Sequence, residues 1–158
     1  RLVTATTHGL NAVSHRGLAA NRGWWATMLK YDDLIGIPYV DYGRDPQNGL
    51  DCWGLAMELY RRRGIQLPDN LFDPRDAKLI GQKFVWQRDH SPWHRLDQPE
   101  DGCLVVIRLA DEGWANHCGV YIGYGEFIHA YHTSVVVDRV RRWLPRIVGF
   151  YDWVEDKT

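Results

Sequence analysis

Cysteine is scarce in this chain. Cys52, Cys103 and Cys118 cannot all pair within one molecule, and none sits in a C-x-x-C pattern. A disulfide scaffold and the common zinc and redox motifs are therefore disfavoured. Long apolar runs are missing too. No stretch approaches the roughly 18 consecutive apolar residues of a membrane span. The first 28 residues hold no apolar core followed by a small-residue cleavage site, so no standard secretion signal is expected. Neither sign of charge dominates: nineteen Lys and Arg face twenty Asp and Glu, a net charge of -1. Without a global basic field, nucleic acid and anionic membranes are poor partners. Internal repeats and low-complexity tracts are also absent.

The composition that remains is that of a folding chain. At 158 residues, 45% hydrophobic and 25% charged, one domain around one core is expected. Eight Trp and eight Tyr suit sites for sugars or peptides, although most such rings fill cores. Residues 1–27, rich in Thr, Ala, Asn and Gly and without period, form an expected appendage. Met28 is then a candidate natural start, and the domain runs over 28–158. Loop formers crowd Ile35 to Leu50. Asp51 is placed to cap a helix whose apolar face is Cys52, Leu55, Ala56, Leu59 and Tyr60. Arg61, Arg62 and Arg63 suit its C-terminal dipole end, and Gly64 suits its stop. Residues 67–99 hold four of the seven prolines, with one helix expected from Asp76 to Val85. Strands are expected at Cys103–Leu109, His117–Ile122, Glu126–Tyr131, Ser134–Arg139 and Ile147–Trp153. A helix followed by antiparallel strands makes the class α+β.

Cys52 falls in the first turn of its helix, where unpaired N–H groups and the dipole favour a thiolate. By position alone, a small buried hydrophobe is the blander reading, and a partner base would reverse it. A turn symmetric about Tyr124 sets His117 opposite Tyr131 and Gly119 opposite His129, putting both histidines on one sheet face. A one-residue slip would separate them. Thiol, base and orienting group make a Cys-His-His triad. The rival is a metal site of one thiolate and two imidazoles, with His132 at the wrong parity to join.

Four ordered segments carry a family resemblance: Gly36-Ile37-Pro38-Tyr39, Gly49-Leu50-Asp51-Cys52-Trp53-Gly54-Leu55, Asn116-His117-Cys118-Gly119-Val120-Tyr121-Ile122-Gly123 and Phe127-Ile128-His129-Ala130. Together they resemble the signatures of NlpC-type cysteine peptidases. The resemblance implies a papain-like fold, a nucleophile-bearing helix packed on an antiparallel sheet of about five strands. It implies Cys52 as nucleophile, His117 as base and His129 as orienting residue, with no metal or organic cofactor. Tyr39, Asp51 and Trp53 flank the nucleophile as candidates for substrate or oxyanion contact. The implied substrate is the peptidoglycan stem peptide, cut between D-glutamate and a diamino acid.

Departures from the pattern are few: Trp53 stands where a serine is usual, Cys118 stands where a valine is usual, and the Pro-Gly-Asp turn before the core strand appears as Pro99-Glu100-Asp101-Gly102. Forms with Trp after the cysteine resemble those associated with phage tail-tip assembly proteins. That suggests synthesis in the cytoplasm, other tail-tip proteins as partners, and delivery to the envelope on the virion tail tip. An effector secreted by a contractile machine is the other route. A silent structural tail protein and a thiol acyltransferase are the alternative functions.

Overall fold

The structure, a computed structural model, describes residues 29–69, 93–110 and 113–154 together with Lys78 and Gln82. The appendage expected over 1–27, and all but those two positions of the helix expected from Asp76 to Val85, lie outside the described residues.

Helix α1 (Cys52–Arg62) starts where the sequence places its cap: Asp51 is extended, and its side chain accepts from the Gly54 N–H at 2.7 Å. Leu55, Leu59 and Tyr60 are fully buried and Ala56 is 1% exposed, so the apolar face forms as the spacing predicts. Gly64, at φ +80°, turns the chain out of the helix. Upstream, Pro38 bridges to Ser134 and Tyr39 to Leu50. The short strands β1 (Arg44–Asp45) and β2 (Gly49–Leu50) form a ribbon leading into the cap.

The main sheet comprises β3 (Trp93–Leu96), β4 (Leu104–Ile107), β5 (His117–Gly123), β6 (Glu126–Tyr131), β7 (Ser134–Arg139) and β8 (Ile147–Trp153). Its order is β3-β8-β4-β5-β6-β7, with every neighbouring pair antiparallel. Among the described residues the sheet has six strands against the expected five or so. The extra one, β3, is an edge strand paired only with β8, and only Trp93 in it is buried. Both faces are covered. Leu104, Val106, Cys118, Val120, Ile128 and Ala130 pack with α1. Val105, Ile107 and Phe127 pack on the reverse face with Val140 and Trp143 of the short helix α2 (Val140–Trp143).

The β5–β6 hairpin departs from the symmetric turn in its details. Tyr124 and Gly125, at φ 54° and 75°, form a two-residue turn that sets Gly123 opposite Glu126. Continued unchanged, that register would put Val120 across from His129 and the two histidines on opposite faces. A bulge between Tyr121 and Gly123 restores the expected pairing, Tyr121 with Phe127 and Val120 with Ile128. One extra residue in β5 thus brings the histidines to one face.

Candidate active site

Cys52 is the first residue of α1 and is half-buried. The helix start is fixed from three sides. Asp51 accepts from Gly54 N–H and from Arg44 Nη1, both at 2.7 Å and both on Oδ1. Arg44 also donates through Nε to Asp69 Oδ1 at 3.0 Å. A Cβ on Gly54 would collide with the Gly43 carbonyl oxygen, so only glycine lets the first turn sit this low. Burial raises the Asp51 carboxyl pKa while the Arg44 guanidinium opposes that shift.

His117 opens β5 and is 4% exposed. Its Nε2 lies 2.8 Å from His129 Nδ1, which leaves His117 Nδ1 for the thiol. His129 is fully buried, its ring stacked on Tyr131 at 5.2 Å and edge-on to Trp143 at 5.1 Å. On its far side, His129 Nε2 donates to Asp138 Oδ2 at 2.9 Å. Burial first, and then the His117 charge, lower His129 to about 4, with Asp138 pulling the other way. His129 is therefore a neutral acceptor near pH 7.

The Cys52 thiol is held well below its ordinary pKa. The hydrogen bond from Cys118 contributes most, followed by the hydrogen bond and charge of His117, against the opposing effect of burial. Cys118, fully buried, is pushed well up by that same bond and by burial, and its Sγ lies 3.5 Å from the Cys52 carbonyl oxygen. Burial pushes Cys103 up to about 12. Of the three thiols only Cys52 is prepared to ionise. Tyr39 is raised by burial and by the negative charge of Cys52, Asp41 and Asp51, so its phenol stays a donor.

The profile of the NlpC/P60 family matches residues 36–151. The chain belongs to that family. It is 33% identical over 107 residues to murein DD-endopeptidase MepH of Escherichia coli (strain K12), covering 68% of this chain and 36% of that protein. Over 127 residues it is 28% identical to the bifunctional muramidase/DL-endopeptidase CwlT of Bacillus subtilis (strain 168), covering 77% and 33%. The chain thus spans about a third of these relatives. An NLP/P60 family structure from Staphylococcus aureus subsp. aureus Mu50 superposes with a TM-score of 0.60 at 21% identity, covering 84% of this chain and 42% of that one. The NlpC/P60 papain-like α+β fold is therefore the fold of this domain.

Within that NlpC/P60 frame the structure brings Cys52, His117 and His129 together, with Tyr39 close enough to feel the thiolate. Asp51 is spent on the cap and on Arg44. Trp53, a candidate for substrate contact, packs in the core. It is 4% exposed, and its indole donates to the Pro68 carbonyl at 3.1 Å. Among the described residues no group of three or more His, Cys, Asp or Glu is arranged to hold a metal ion, and His132 lies in the β6–β7 turn at φ 57°. The sequence reading missed Asp138. Its signal was an aspartate at the same parity as Val136, the residue paired with His129.

Proposed function

We propose that this domain is a peptidoglycan stem-peptide endopeptidase that cuts between D-glutamate and the following diamino acid. The observation that carries the reading is a thiolate-favouring Cys52 at a helix N-terminus, served by the hydrogen-bonded pair His117 and His129. His117 Nδ1 takes the Cys52 proton, and the thiolate attacks the amide carbonyl. The tetrahedral oxyanion is met by the Cys52 backbone N–H and the Tyr39 hydroxyl; one such donor is worth about 2.7–4 kcal/mol. The imidazolium then protonates the leaving amine, and His117 activates water to release the acyl group. No metal or cofactor enters these steps. The names of the relatives, a murein DD-endopeptidase and a DL-endopeptidase, support the substrate class.

Delivery on a phage tail tip to the bacterial envelope, beside other tail-tip proteins, is the finer form of this proposal. It is supported by the resemblance that Trp53 carries. Incubation with purified muropeptides and mass analysis tests the chemistry. Fragments split after D-glutamate are expected, and they should be lost in Cys52→Ala. Intact muropeptides alongside a rapidly alkylated Cys52 would overturn hydrolysis, and fragments split at a D-Ala bond would overturn the bond assignment.

A further inference from the structure

The hydrogen bonds of the site do not end at His129. Asp138 lies on β7 two residues beyond Val136, the partner of His129, and its carboxylate reaches back diagonally to His129 Nε2 at 2.9 Å. An ionised carboxylate only accepts, so the proton of that bond sits on His129 Nε2. In neutral His129, Nδ1 is then a bare lone pair, which must accept. The group 2.8 Å away is His117 Nε2, so the proton there belongs to His117. That leaves His117 Nδ1 bare and facing the thiol, the only tautomer that can act as base. One carboxylate, two imidazoles away, thus decides which nitrogen meets the nucleophile.

We propose that Asp138 is a positioning residue that sets the tautomers of His129 and His117 through this hydrogen-bonded chain and stabilises the imidazolium formed when Cys52 ionises. The assignment rests on the Cys-His-His reading above. Among the described residues, the groups facing the pair are Cys52 from α1, with Cys118 beside it, Tyr131 from β6 and Asp138 from β7, while α2 contributes the Trp143 indole. Asp138 is the one carboxylate among them. Its side chain is 29% exposed against 0% for His129, so it stands where the chain of bonds meets solvent.

Asp138→Asn keeps the size and removes the charge. With muropeptide, kcat should fall roughly tenfold to a hundredfold, up to the lower end of the roughly 10²–10⁴-fold that general acid–base catalysis contributes, because the base itself is kept, with KM unchanged. The alkaline limb of the kcat/KM profile, where the imidazolium loses its proton, should move toward neutral pH. Asp138→Glu, which retains the charge, should keep that limb near its wild-type position. Alkylation of Cys52 by iodoacetamide against pH reads the same imidazolium transition without any peptide, so it separates failure of this proposal from failure of the endopeptidase reading.

Imidazole ¹⁵N shifts of the wild-type protein need no variant at all. Protonated Nε2 and bare Nδ1 on His129 are expected, together with a proton on His117 Nε2 in both its neutral and its imidazolium form; a proton on His129 Nδ1, or a bare His117 Nε2, at neutral pH overturns the proposal. An Asp138→Asn alkaline limb that coincides with wild type, or one displaced equally in Asp138→Glu, also overturns it.

Discussion

At the scale of single residues, the site depends on keeping one imidazole neutral inside the protein. His129 is fully buried, bonded to His117 on one side and Asp138 on the other, and its pKa is lowered to about 4 chiefly by burial. In the unfolded chain the same ring takes its proton near the ordinary histidine value of about 6.5. Between these two values the unfolded state binds more protons than the folded one, so stability must rise with pH across that window. Above it the contribution is constant. Urea unfolding at pH 4.5, 5.5 and 7 should show the rise. His129→Asn should flatten it, a difference of roughly 1–3 kcal/mol between the two proteins. A variant whose stability falls with acid as steeply as wild type would mean that His129 is not the ring that resists protonation. Cys52 shows the converse arrangement, because its neighbours favour the charged form. The Cys118 thiol and the His117 imidazole both favour the thiolate, and the first turn of α1 adds its N–H groups.

At the scale of elements, the β5–β6 hairpin decides whether there is a site. A two-residue turn and a one-residue bulge each shift the register, and only together do they leave His117 and His129 on one face. The turn carries a local conflict. Tyr124 holds φ 54° while wholly exposed, a conformation Asn tolerates and a tyrosine resists. Tyr124→Asn should therefore stabilise the protein by about 1 kcal/mol and leave kcat/KM unchanged, as judged by denaturant midpoints and peptide turnover. A loss of stability would show that the ring packs on something in solution.

Much at this scale was legible in the sequence. The Asp51 cap, the apolar spacing of α1 and the alternation in β5 to β8 are local signals, and local signals survive into the fold. Edge strand β3 was not legible. It has one buried residue, Trp93, no core face to impose alternation, and a proline-rich approach. The bulge was equally hidden, since the symmetric loop and the turn-plus-bulge predict the same final pairing. Asp138 needed two registers at once, β5 with β6 and β6 with β7, before its carboxylate could be aimed at His129. Trp53 was misplaced for a different reason. A ring 100° round from Cys52 has two directions open to it, and the Pro68 carbonyl that satisfies its N–H is fifteen residues away.

At the scale of the whole molecule, the sheet is loaded on both faces, and the two layers support different halves of the chemistry. The larger core, between α1 and the sheet, sets where Cys52 stands, while the helix start itself is pinned by Asp51, Arg44 and Gly43. The smaller cluster on the reverse face, closed by α2, presses Trp143 edge-on against Phe127, His129 and Tyr131. Stability and turnover should therefore come apart when the two layers are cut separately. Leu59→Ala empties a fully buried position of the first layer, distant from the cap. It should cost about 2–5 kcal/mol, yet turnover per folded molecule should stay within about twofold, because the bonds that seat Cys52 are untouched. Trp143→Ala removes a partly exposed ring and should cost less stability, roughly 1–3 kcal/mol. It should nevertheless lower kcat more, since His129 loses the wall that holds its plane between His117 and Asp138. Peptide turnover normalised by active-site titration with an alkylating reagent, alongside denaturant unfolding, gives both quantities for each variant. Equal losses of kcat in the two variants would show that the layers act as one body and that the reverse face has no separate part in orienting the histidines.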